Sequence, residues 1–126
     1  VFDSQTIQVQ DGQETILLSP WFPRGGDYGL FTLEVTAIGG TGTPTLTVTM
    51  VLKDSDEAGE GTQYTGLSIS RTSAGRTTID FANGAGSPSF GGFKQMVRYR
   101  FKLSGGSTGT TWVTFRMLSA IWYDKV

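Results

Sequence analysis

Residues 53–61, KDSDEAGEG, hold four of the chain's eleven acidic side chains: Asp54, Asp56, Glu57 and Glu60. Several oxygen ligands on one loop are what a hard cation such as Ca²⁺ requires. The spacing departs from an EF-hand, because the turn glycine and the distal glutamate are misplaced. Between two strands such a loop reads as a solvated hairpin tip, and no metal is assigned. A second stretch, residues 83–92 (NGAGSPSFGG), has the glycines of a phosphate cradle. It lacks the Lys-Ser/Thr ending of a P-loop, and no helix follows to supply an N-terminal dipole. It reads instead as a long loop whose Phe90, together with Phe93 just beyond, either tucks beneath it or anchors a partner.

Nucleophilic catalysis has little to work with. The chain has no cysteine and no histidine, which removes thiol chemistry, disulfides, zinc–thiolate sites and the commonest general base. A pair of carboxylates could act alone, as in glycosidases, yet nothing in the spacing singles out a pair. The expectation is a non-enzyme without cofactor or metal.

The remaining chemistry is that of surfaces. Arg98, Arg100 and Lys102 share one parity of a single alternating run, with Lys94 further back. That basic ladder suits phosphate, a sulfated glycan or an acidic protein surface. The plainer account is a solvated sheet face balanced by Glu34 or by cross-strand carboxylates. A net charge of −1, with no aromatics between the cations, argues against nucleic acid. In residues 110–124, TTWVTFRMLSAIWYD, Trp112, Leu118, Ala120 and Trp122 occupy one parity, opposite Val113, Phe115, Met117 and Ile121. A strand apolar on both faces is covered twice or meets another chain. In so small a domain we expect the second, with Trp112 and Trp122 at an interface.

The elements that must carry these residues are strands. One domain of 126 residues is long enough for a two-layer core. The 18 glycines, 18 threonines and 11 serines suit pleated surfaces and turns. Period-two alternation recurs at 6–10, 14–18, 30–38, 45–52, 65–70, 77–82, 93–103 and 110–124, and no segment has helical spacing. Asp11-Gly12 reads as a hairpin turn between the first two runs. Inward faces are expected to be Phe31, Leu33, Val35 and Ala37; Leu46, Val48, Met50 and Leu52; and Val97, Tyr99, Phe101 and Leu103. The fold class is all-β: an antiparallel β-sandwich or jelly roll of about eight strands. No apolar run approaches the ~18 residues of a membrane helix, and residues 1–10 lack the pattern of a signal peptide.

Residues 19–35, SPWFPRGGDYGLFTLEV, join an aromatic pair to the third run. The reading is a corner: Pro23 fixes φ, Gly25 and Gly26 permit positive φ, and Asp27 caps the turn. Trp21 and Phe22 pack under or beside the sheet, and Arg24 is a plausible interface contact. A chain of this character, Cys-free, His-free, Gly/Thr-rich and all-β, resembles the small structural proteins of tailed-phage virions, and capsid decoration (cement) proteins most of all. The resemblance implies a partner in the major capsid protein of an icosahedral shell, self-association as an oligomer, and a place on the capsid surface of the virion. It assigns no residues. From the side chains themselves the expected interface comprises Arg24, Phe90, Phe93, Arg98, Arg100, Trp112 and Trp122. A carbohydrate-binding module is the alternative, with Trp21, Tyr64, Trp112 or Trp122 stacking on glycan. A tail or fibre-head component is a further one.

Overall fold

Threonine and the aliphatic residues alternate so regularly along this chain that pairing into sheets is the simplest way to bury one face of each run. The structure, a computed structural model, describes residues 2–10, 12–26, 28–41, 43–54, 59–81, 94–105 and 109–123. Within them lie ten strand segments: β1 (Phe2–Gln10), β2 (Glu14–Leu18), β3 (Phe22–Pro23), β4 (Tyr28–Gly40), β5 (Thr45–Lys53), β6 (Thr62–Arg71), β7 (Gly75–Phe81), β8 (Met96–Ser104), β9 (Thr110–Met117) and β10 (Ile121–Tyr123).

All pairings are antiparallel and form two sheets. In sheet A, β9 lies between β1 and β4, β10 continues along the same edge of β4, and β7 takes the other edge. In sheet B, β8 lies between β5 and the β2–β3 edge, and β6 closes the far side. Counting β2–β3 and β9–β10 as interrupted strands, the partners nest from outside inward: first with last, second with next to last. That nesting is the jelly-roll arrangement of a two-sheet sandwich.

The core lies between the sheets and matches most of the alternation. Leu46, Val48, Met50 and Leu52 of β5 are buried against Val97, Tyr99, Phe101 and Leu103 of β8, and against Phe31, Leu33 and Val35 of β4. Rings run through it in contact, Phe31 with Tyr99 at 6.1 Å, Tyr99 with Phe101 at 5.9 Å and Phe101 with Phe115 at 4.7 Å between centroids. Offset and edge contacts of this kind add to plain burial.

Two expectations are corrected at this level. Asp11-Gly12 does not close a hairpin. Gly12 takes φ 73° and Gln13 N–H donates to the Gln10 carbonyl, but β1 pairs with β9 and β2 with β8, so the turn carries the chain from one sheet to the other. On β4, Ala37 is not the fourth core residue. The pairing with β9 shifts between Val35 and Ala37, and this one-residue bulge turns Ile38 inward to pack on the core.

Candidate functional site: two bulges and a cleft

Where β2 should run on into β3, the ladder skips. Leu18 pairs with Arg100 and Phe22 with Val97, so four steps on one strand oppose three on the other. The extra residue is a β-bulge, and it exchanges the faces of everything beyond it. Before it, Leu17 packs on the core while Ile16 and Leu18 face solvent; after it, Phe22 turns inward, 5.2 Å from Tyr99 between ring centroids. Pro20 sits in this bulge, where a missing N–H costs no ladder bond. Ser19 repairs the ladder: its N–H donates to the Tyr99 carbonyl, and its Oγ accepts the Tyr99 N–H at 2.8 Å.

The same device recurs in sheet A. Met117 pairs with Leu33 and Ile121 with Leu30, again four steps against three. Leu118 keeps one bond, its N–H donating to the Thr32 carbonyl at 3.0 Å. Faces exchange here too. Val113, Phe115 and Met117 point into the core before the bulge, and Trp122 does so after it. The expectation of one continuous strand with Trp112 and Trp122 on a common face is therefore wrong, and a parity switch, not a second covered face, explains the apolar residues on both sides. Trp112 sits on the outer face of sheet A beside Gly39, where a Cβ would lie 3.1 Å from the indole. Trp122 instead stands edge-on to Phe31 at 5.4 Å.

The two bulges face each other and enclose a cleft of about 340 Å³, lined by residues 19–22 on one side, residues 118–120 on the other, and Tyr99 and Trp122 at the back. Burial pushes the Tyr99 phenol well above its usual range, so it stays neutral. The lining is mostly apolar and aromatic; Ser19 Oγ is already engaged by the Tyr99 amide. The corner after β3 closes one flank. Neither Gly25 nor Gly26 has positive φ, contrary to expectation. Gly25 is needed because a Cβ there would lie 2.5 Å from the Trp122 ring. Asp27 falls outside the described residues.

The surroundings of the cleft are unusual in composition. Among the described residues, the large hydrophobic side chains left exposed are Ile16 (47%), Leu18 (40%), Ile121 (62%), Tyr123 (37%) and Trp112 (37%). The first four lie on β2 and β10, the segments that run directly into the cleft lining. Trp21 lines the cleft from the sheet B side and carries two cations on its ring, Lys53 at 4.6 Å and Arg98 at 4.4 Å from the centroid. Such contacts hold a tryptophan in place without burying it completely.

The predicted site residues separate into groups. Arg98 is largely enclosed, paired with Glu60 and stacked on Trp21. Lys102 lies 4.0 Å from Glu14. Arg100, between them, contacts no carboxylate among the described residues. Glu34 does not balance this ladder. It lies on the outer face of sheet A, bound by Arg76 and, at 2.7 Å, by Arg116, and the Arg76 bond foremost holds its carboxyl below the ordinary range. Arg24 is exposed, with its N–H donated to the Gln95 carbonyl at 3.0 Å. Phe90, Phe93, Asp56 and Glu57 lie outside the described residues, and no cluster of metal-ligating side chains occurs among those described.

Sequence reading missed Ser19, Tyr99 and residues 118–120 as parts of one site. A signal existed in the adjacent apolar pairs Met117-Leu118 and Ile121-Trp122, which break strict alternation as a bulge must. Compared with known proteins, the chain matches no protein-family model and no curated sequence.

Proposed function

We propose that this chain is a non-enzymatic assembly protein of a virion, a decoration or cement protein that binds and stabilises a capsid shell. The observation that carries the reading is the concentration of exposed Ile16, Leu18, Ile121 and Tyr123 on the two strand segments that enter the cleft. They flank the cleft on the two outer faces, Ile16 and Leu18 on sheet B and Ile121 and Tyr123 on sheet A. Exposed apolar side chains clustered beside a concavity support a contact surface, whereas scattered ones need no explanation. The jelly roll supports the reading in kind, since capsid domains use it, but lectins do too. The residues around the cleft must therefore choose between them.

A glycan-binding module is the second reading, favoured by one observation: Trp21, Phe22, Tyr99 and Trp122 line a concave cleft. Sugars also need several side-chain amides or carboxylates, and among the described residues none lines this cleft. Assembly is the better fit. A tail or fibre-head location would use the same surface on a different partner.

Light scattering of the protein alone and mixed with emptied tailed-phage shells tests the proposal. Wild type is expected to form an oligomer or bind the shell, and the pair Leu18→Ser, Ile121→Ser to lose that association about tenfold or more. Both positions are solvent-exposed, so circular dichroism should be unchanged. Association that survives both substitutions, or saturable binding of a neutral oligosaccharide with none to shells, would reject the assembly reading.

A further inference from the structure

We infer that the outer face of sheet B docks a carboxylate-bearing protein surface, with Arg100 as the anchoring cation. The inference rests on the assembly reading and names the chemistry of the partner. Three columns run side by side across that face. Ile16 and Leu18 form the edge column on β2, and beyond the bulge Trp21 takes the place beside Arg98. Lys102, Arg100 and Arg98 form the second, on β8, with Ile16 opposite Lys102 and Leu18 opposite Arg100. Thr47, Thr49 and Val51 form the third on β5, in register with the same three cations. Of these Thr49 and Val51 are already buried, so the accessible part of the face is the β2 and β8 columns.

Neutralisation along the middle column is uneven. Arg98 has Glu60 and the Trp21 ring, and Lys102 has Glu14 nearby. Arg100 has neither carboxylate nor ring among the described residues. It is partly buried between exposed Leu18 and buried Thr49. A guanidinium flanked by an aliphatic side chain is partly shielded from water, which strengthens a carboxylate pairing over one at an open rim. The planar fork takes a carboxylate through two hydrogen bonds at once. Arginine in such a setting is a frequent hot spot of protein interfaces.

Sulfate and phosphate groups also fit a guanidinium. The neighbours decide for protein. Ile16 and Leu18 gain from apolar cover, which an acidic polypeptide with aliphatic residues supplies and a sulfated glycan does not. Nucleic acid is disfavoured by the net charge of −1 and by the indole of Trp21, whose ring is occupied by Lys53 and Arg98.

The test is an NMR titration of the ¹⁵N-labelled chain with the blocked peptide Ser-Glu-Leu-Glu-Val-Glu-Ser, its all-lysine counterpart, and a heparin hexasaccharide. The acidic peptide is expected to shift Leu18, Thr49 and Arg100 saturably and to bind more weakly as salt is raised. The lysine peptide should leave them unmoved. Arg100→Gln should weaken binding about tenfold or more, and Arg116→Gln, on the opposite sheet, should not. Equal binding by Arg100→Gln, shifts confined to sheet A, or binding of the hexasaccharide without the acidic peptide would each overturn the inference. Shell binding measured on the same variants separates the two proposals. Shells bound equally by wild type and Arg100→Gln, but lost by Leu18→Ser with Ile121→Ser, overturn the Arg100 inference and leave assembly standing. Acidic-peptide binding at Arg100 with no shell association or oligomer in wild type rejects assembly and keeps the carboxylate site.

Discussion

On the outer face of sheet A, Glu34 lies between Arg76 and Arg116, and threonines pair across the strands, Thr6 with Thr114 and Thr32 with Thr78, each at 2.8 Å. On the outer face of sheet B, Arg100 meets no carboxylate among the described residues, and its strand neighbour Leu18 is exposed. Both faces come from the same alternation, and both carry arginine. The difference is where the compensating groups sit. On sheet A, Arg76 and Arg116 are each matched to the Glu34 carboxylate across β4, β7 and β9. On sheet B, Glu60 pairs with Arg98 and Glu14 lies near Lys102, and Arg100 stands beside Leu18 with no carboxylate among the described residues. A partner of sheet B therefore gains a charge pair at Arg100 beside the apolar cover of Leu18. The exposed Trp112, Ile121 and Tyr123 give the outer face of sheet A apolar area without, among the described residues, a cation lacking its carboxylate.

The contrast depends on the bulges that keep each side chain on its face, and removing a ring that one of them turns inward should have the largest effect. Trp122→Ala removes the ring that the sheet A bulge turns inward. The core then loses the ring that packs on Phe31 and Gly29. A loss of about 3 kcal/mol or more is expected, read by urea denaturation. A change under about 1 kcal/mol would mean that the ring adds little to the core.

Ser19→Ala acts on the sheet B bulge and should cost less. It leaves the Tyr99 N–H, inside the sandwich, without the Oγ that accepts it at 2.8 Å, a penalty of about 1–3 kcal/mol. Hydrogen exchange at the Tyr99 amide is the direct readout: faster exchange in the variant at matched global stability supports the role given to Ser19, and an unchanged rate argues against it.

The smallest effect should come from the matched face itself. Hydrogen bonding to Arg76, then to Arg116, holds Glu34 below its usual range in the folded chain. A lowered folded pKa means stability that is present above the unfolded value of about 4.3 and is lost as pH falls through the folded one. Glu34→Gln should therefore flatten the acid limb of stability against pH, with little change near neutrality in salt. Identical acid limbs in the two proteins would show that the Glu34 cluster is solvated at no net gain.

Much of this molecule is legible in its amino-acid sequence. Strict alternation in 45–52 and 96–103 determined which side chains face inward, because a pleated strand allows two faces and water rejects one of them. The all-β class followed from the recurrence of such runs, and the absence of His and Cys limited the chemistry whatever the fold. What alternation cannot reveal is a single inserted residue, since a bulge changes the face of every later side chain while leaving composition untouched. Thus Trp112 and Trp122 read as neighbours on one face, and the tertiary pairing with Leu33 and Leu30 put them on opposite ones. Gly25 read as a turn residue, and only the approach of Trp122 from the far end of the chain shows that it makes room for a ring. Which acid neutralises which arginine was likewise a tertiary decision. Glu34 and Arg98 carry opposite charges, yet they belong to different sheets, and register assigned Glu34 to Arg76 and Arg116, leaving Arg100 without a carboxylate partner among the described residues.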